Sequence, residues 1–178
     1  GGKEASIPAY LAEETIASIR KFAAEDKPFF TTAQFWGPHS PFRIPAEYLN
    51  LYMDRLDEIE PWPNCDADLT GKPEIIRIQG EDLFQSGWMD TKARKKMIAR
   101  YYGYVTLIDH EMGRIIQALK DEGVYDETLI IYTTDHGSSL GSYGMWDKGF
   151  GMYDCFFHIP MVISHPAFEQ GICDSVVD

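Results

Sequence analysis

A carboxylate, an imidazole and a glycine stand side by side at Asp135-His136-Gly137, directly after the apolar run TLIIYTT of residues 128 to 134. Carboxylate oxygen and imidazole nitrogen are competent ligands for one divalent cation. Neighbouring side chains of a strand point to opposite faces, so the pair converges only if the chain leaves the pleat, and Gly137 permits such a turn. The competing reading has Asp135 capping a turn while His136 packs. Lys148 follows in a glycine-dense loop, where its ammonium either reaches an anion held on that cation or is simply solvated. His39 lies in Trp36-Gly37-Pro38-His39-Ser40-Pro41. Two prolines restrict the backbone around it, which suits a general acid or an anion-binding group as well as a histidine bonded within a turn.

Three kinds of element must position these residues. Residues 8 to 25 predict a helix, with Pro8 in its first turn and Leu11, Ile16, Ile19 and Phe22 on one side. Phe29 to Phe35 is a β-rich run that ends at Gly37-Pro38. The clearest signal is a helix from Thr91 to about Glu122. Met97, Tyr101, Val105, Ile108, Met112, Ile115 and Leu119 recur there at steps of three and four. Asp90 or Thr91 suits its start, and Lys120 and Gly123 its end. The run at 128 to 134 lacks polar alternation, as a strand buried on both faces does, and Pro160 to Ser164 predicts a further short strand. Helix alternating with apolar strand gives an α/β class with a largely parallel sheet flanked by helices.

Charge narrows the partners. Acidic residues outnumber basic ones 28 to 16, a net charge of −12, which excludes nucleic acid, because phosphate binding needs a basic surface. An anionic substrate has to be attracted locally, by a metal or by a few aimed cations. No apolar run approaches the roughly 20 residues of a membrane span. Cys65, Cys155 and Cys173 form no CxxC pair and read as buried free thiols. His110-Glu111 is no metal motif, since Arg114 stands where HExxH needs its second histidine, and the pair is expected on a solvated face. Asp54, Asp57, Glu58 and Glu60 likewise read as solvated surface.

Taken together, these segments resemble the sulfatase family of the alkaline phosphatase superfamily. The resemblance rests on Lys27-Pro28-Phe29-Phe30, Pro38-His39-Ser40-Pro41, Pro45 and Tyr48, then on Tyr102-Gly103-Tyr104-Val105 and Gly113-Arg114-Ile115. It continues in Thr134-Asp135-His136-Gly137, Leu140-Gly141, Gly144, Trp146, Lys148, Tyr153 and Ile159-Pro160. It implies an alkaline-phosphatase-like catalytic domain, with residues 1–178 as one partial domain and 46–90 as a substrate-loop insertion. It further implies that Asp135 and His136 bind a divalent cation, usually calcium. Lys148 would then hold a sulfate oxygen, and His39 would bind near the bridging oxygen and protonate the leaving alcohol.

The family nucleophile is a formylglycine made from Cys or Ser in a Cys/Ser-x-Pro/Ala-x-Arg motif. None of the three cysteines sits in one, and in Ser40-Pro41-Phe42-Arg43 the proline comes one position early. The resemblance therefore implies an internal piece, inactive alone, with the nucleophile and the paired metal aspartates upstream of Gly1. Family members often carry Glu and His where this chain has Ser138 or Ser142 and Tyr143, so substrate recognition in this loop differs. Many sulfatases have Asn where His136 stands, and a nitrogen ligand admits manganese or zinc. A phosphonate monoester or phosphodiester hydrolase of the superfamily, or a non-catalytic domain, are the alternatives. The implied partner is a small-molecule or saccharide sulfate ester, in a periplasmic or other extracytoplasmic compartment. Oligomeric state is not legible.

Overall fold

A computed structural model of the chain describes residues 2–25, 27–79 and 89–172. Its spine is α4 (Thr91–Asp121), a helix of 31 residues. Asp90 caps it, its carboxylate accepting from the Ala93 N–H at 2.7 Å. Gly123, at φ +72°, closes the other end in the left-handed conformation glycine adopts freely. Earlier in the chain come α1 (Ile7–Ala23), α2 (Ala46–Met53) and the single turn α3 (Glu74–Arg77). After α4 follow β1 (Ile130–Thr133), the short α5 (Asp154–Phe157) and β2 (Met161–Ser164).

Two helices and two loops share the surface of α4, so its buried stripe is broader than the predicted one and displaced from it. Ile108 and Leu119 are buried as expected, whereas Val105 is exposed. The working stripe runs through Arg94, Ile98, Tyr104, Leu107, Ile108, Glu111 and Leu119. Gly103 lets α2 approach closely, since a Cβ there would lie 2.8 Å from the Tyr48 carbonyl oxygen. Tyr48 joins Tyr104, Leu107 and Ile108 in one core cluster, and Ile98, Ala99, Leu140 and Trp146 meet in another with Ile59. Arg94, almost fully buried, is stabilised in that setting by two hydrogen bonds to the Asp66 carboxylate.

Three expectations are corrected. Glu111 does not face solvent: it is 0% exposed, with Arg114 Nη1 donating to its Oε2 at 2.5 Å. Arg114 also pairs with Glu13 of α1, and among the described residues Glu111 Oε1 has no hydrogen-bond partner. Cys65 and Cys155 are free but only half-buried, and Cys173 lies outside the described residues.

The third correction concerns the sheet. Among the described residues it has two strands, and β1 runs antiparallel to β2, with Ile130 opposite Ser164 and Thr133 opposite Met161. A parallel pair needs a crossover of a dozen or more residues, usually a helix, that carries the chain back to the starting edge. The connection from Thr133 to Met161 is long enough for a crossover, but it carries a glycine-rich loop and short helical turns instead of a crossover helix, and the chain returns antiparallel. Phe29 to Phe35 forms no strand. Both strands are largely solvent-exposed, with Ile131, Tyr132, Met161, Val162 and Ile163 open, so the apolar run at 128 to 134 is not buried within this chain.

Candidate functional site

Two loops form the site, and α4 carries both. The first is residues 36–41. Gly37 lies flat against Tyr104, where a Cβ would come within 2.5 Å of the ring. The second is residues 135–149, which plants Leu140 and Trp146 in the cluster around Ile98 and Ala99. One rigid helix thus sets the relation between the His39 loop and the Lys148 loop.

The second loop is bonded internally through Ser139, which is fully buried. Its N–H donates to the Asp147 carbonyl at 2.9 Å, and its hydroxyl lies 2.7 Å from both the Met145 and the Asp147 carbonyl, to which it donates in turn. Gln79, also 0% exposed, clamps the outer side. Its amide donates to the Lys148 carbonyl at 3.0 Å and accepts from the Phe150 N–H at 2.8 Å. Gly149 is required beneath it, because a Cβ would fall 2.0 Å from the Gln79 amide nitrogen. Replacing Gln79 with Leu leaves the part-buried Lys148 carbonyl and Phe150 N–H without this partner. This is expected to lower stability by about 2 kcal/mol, read as a drop in melting temperature with faster proteolysis within residues 145–151.

The Asp135-His136 pair sits just past β1, as its position in the sequence predicts. Gly137 makes the turn possible through space rather than through unusual dihedrals. Its φ is not positive, but a Cβ would lie 2.1 Å from the Cys155 carbonyl oxygen, and its N–H donates to the Phe156 carbonyl at 2.8 Å. His136 Nδ1 donates to the Gly137 carbonyl at 2.8 Å, which fixes the tautomer and leaves the Nε2 lone pair outward. Nε2 lies 3.7 Å from Asp135 Oδ2. The Asp135 side chain is 86% exposed. Desolvation opposes its ionisation, but its backbone hydrogen bonds and the neighbouring imidazole outweigh that and hold the carboxyl below its usual range.

One carboxylate oxygen and one outward imidazole lone pair, the latter accepting from Lys148 Nζ, are donors that fit a divalent cation. They are an incomplete shell. Among the described residues no group of three or more His, Cys, Asp or Glu side chains gathers around one point.

Lys148 belongs to this arrangement. Its Nζ donates to His136 Nε2 at 3.0 Å, so the ammonium stands where ligand and anion would meet. His39 arrives from the other loop, its ring centroid 6.0 Å from that of His136 and 5.2 Å from that of Trp36. His39 Nδ1 donates to the Ser40 carbonyl at 2.7 Å, which leaves Nε2 to face the site. All four residues singled out in the sequence therefore converge. Asp147, Ser139 and Gln79 were not foreseen. A buried glutamine beyond α3 and a serine inside a glycine loop carry no local signal, and Asp147 stood beside Lys148 without drawing notice.

Known proteins resemble this chain along most of its length. The sulfatase family model matches residues 3–171. The chain is 30% identical over 167 residues to the uncharacterized sulfatase YidJ of Escherichia coli K12, covering 94% of this chain and 32% of that protein. It is 31% identical over 161 residues to an arylsulfatase of Clostridium perfringens, covering 88% of this chain and 31% of that one. Among solved structures it resembles the phosphonate monoester hydrolase SpPMH of Silicibacter pomeroyi. That match has a TM-score of 0.79 and 27% identity, over 95% of this chain and 34% of the other. The chain thus spans about a third of the length of the curated relatives it matches. Matched by the family model over residues 3–171, nearly its whole length, the chain belongs to the sulfatase family.

Proposed function

We propose that this chain supplies the sulfate-holding part of a metal-dependent sulfate ester hydrolase. The observation that carries the reading is the convergence of Lys148 Nζ on His136 Nε2 at 3.0 Å, with the His39 ring beside them. In a chain of net charge −12, a cation aimed into a loop cluster at the end of a strand is the feature an anionic group needs. Asp135 and His136 would hold the divalent ion, calcium first, with manganese or zinc admitted by the imidazole nitrogen. Bound there, the ion would supply Lewis-acid stabilisation of charge on the non-bridging oxygens.

The chain's own residues have separate tasks in this reading. Lys148 donates to a sulfate oxygen and offsets its charge. His39 keeps Nδ1 bonded to Ser40 and holds a proton at Nε2 for the departing alcohol oxygen. The attacking formylglycine is supplied by chain outside these 178 residues. Family resemblance favours an extracytoplasmic compartment; separately, no helix among the described residues is long and apolar enough to cross a membrane. Residues 46–90 contribute to substrate choice. Two contacts support that role: Gln79 on the Lys148 loop, and the Asn64 amide donating to Ser142 Oγ at 3.0 Å.

A second reading, hydrolysis of phosphonate monoesters, draws on the likeness to SpPMH and on His136 as a nitrogen ligand. Turnover of 4-nitrophenyl sulfate, a phenylphosphonate monoester and a phosphodiester by the full-length protein separates the two. The expected result is highest kcat/KM for the sulfate, abolished by chelation and restored by a divalent ion. Higher turnover of the phosphonate makes the second reading the correct one. No turnover of any ester in the metal-loaded protein overturns both.

A further inference from the structure

Asp147 puts a carboxylate beside the one place where this chain would receive an anion. Its side chain is about a quarter exposed and both oxygens are engaged. Oδ2 accepts from Ser40 Oγ at 2.6 Å, and Oδ1 accepts from the Lys148 N–H at 2.9 Å. Oδ1 also lies 3.6 Å from His39 Nε2. The residue adopts φ +77°, a left-handed conformation that glycine enters freely and that side chains other than Asn and Asp resist. A negative charge here works against anion affinity, and the backbone alone would be served as well by glycine. Attraction of substrate does not account for this side chain, and turn geometry, which aspartate suits, does not account for its second bond, to Ser40 Oγ.

What the carboxylate does is join two loops 107 residues apart in sequence. Among the described residues no backbone hydrogen bond connects residues 36–43 with residues 135–150. The tie between them is the Ser40–Asp147 hydrogen bond, supported by the contact of the His39 and His136 rings. Its base is anchored, because the buried Ser139 N–H donates to the Asp147 carbonyl at 2.9 Å and the Ser139 hydroxyl lies between the Met145 and Asp147 carbonyls. We infer that Asp147 is a positioning residue: by binding Ser40 Oγ from a fixed point in the Lys148 loop, it sets His39 against Lys148 so that both face one anion. This rests on the reading of His39 and Lys148 as the anion-holding pair.

Two substitutions separate this role from that of a turn residue. Glycine accepts the backbone at 147 without strain, so Asp147→Gly is expected to fold, with a melting temperature lowered by no more than the loss of its two hydrogen bonds accounts for. It removes the tie. In NMR spectra of the chain, the nuclear Overhauser contact between the His39 and His136 ring protons is expected to disappear. In the full-length protein kcat/KM for 4-nitrophenyl sulfate is expected to fall by about tenfold or more, as misplacement of a reacting group does. Asp147→Asn keeps an acceptor for Ser40 Oγ and tolerates the same φ, so it retains the ring contact and most of the turnover. Ser40→Ala is expected to reproduce the glycine variant, and combining the two to add little further loss.

An Asp147→Gly protein that keeps both the ring contact and the turnover overturns the inference. So does an asparagine variant as impaired as glycine. A wild type that hydrolyses no ester sinks the proposed activity instead. The ring contact in the glycine and asparagine variants then decides the positioning role alone.

Discussion

Lys148→Ala, made in the full-length protein, is expected to lower kcat for a sulfate ester by about 10²- to 10³-fold, the loss that follows removal of one aimed donor from a developing anionic centre. The size of the effect comes from its surroundings. Lys148 is the cation that donates to His136 Nε2 at the end of β1, in a chain carrying a net charge of −12. Without it the long-range field opposes an anion, and the remaining partner from this chain is the imidazole of His39.

The same substitution carries a second expectation of opposite sign. The ammonium donates to the lone pair that a metal would use, and like charges repel. Removing it is therefore expected to leave divalent-ion affinity unchanged or tighter, measured by calorimetry, while turnover collapses. A loop that had merely unfolded would lose both together. Turnover within about threefold of wild type, well short of the loss of one such donor, would show that Lys148 is a solvated charge. Loss of ion binding in parallel with turnover would show that it serves structure instead.

Local chemistry was readable in the sequence and long-range chemistry was not. Asp135 and His136 are adjacent, follow an apolar run and precede a glycine, so chain connectivity alone brings them to one strand end. The long helix was readable because its cap, its apolar recurrence and its closing glycine all act within a few residues of one another. The exact stripe was not, since which face is buried depends on α1, α2 and two loops packing from different sides. The sheet misled for a related reason. An apolar run shows that a strand is suited to burial, not which partners lie within the chain, and β1 here is exposed with an antiparallel neighbour. Gln79 and Asp147 act on groups 69 and 107 residues away in sequence, and such pairings exist only once the loops have docked on α4.

Gly137 shows how a residue expected for one reason is required for another, and this yields the largest expected effect on stability. The turn after His136 was expected to need glycine for its dihedral freedom. The backbone there is ordinary, and the constraint is the Cys155 carbonyl oxygen, 2.1 Å from where a Cβ would stand. That oxygen belongs to the backbone of α5, so no side chain can rotate away. The α5 segment must move by more than an ångström, which breaks the hydrogen bond from the Gly137 N–H to the Phe156 carbonyl. Phe156 is 2% exposed, so displacing it also disturbs buried packing. Overpacking and the lost bond together are expected to cost about 3 kcal/mol in Gly137→Ala. Gly113→Ala is the control, because nothing lies within 4 Å of a Cβ there and alanine is the better helix former in α4. That change is expected to stabilise by about 0.5–1 kcal/mol. Chemical denaturation of both variants gives the comparison. If Gly137→Ala unfolds at the wild-type midpoint, α5 does not press on the turn, and the Asp135-His136 pair is held in place by something other than this contact.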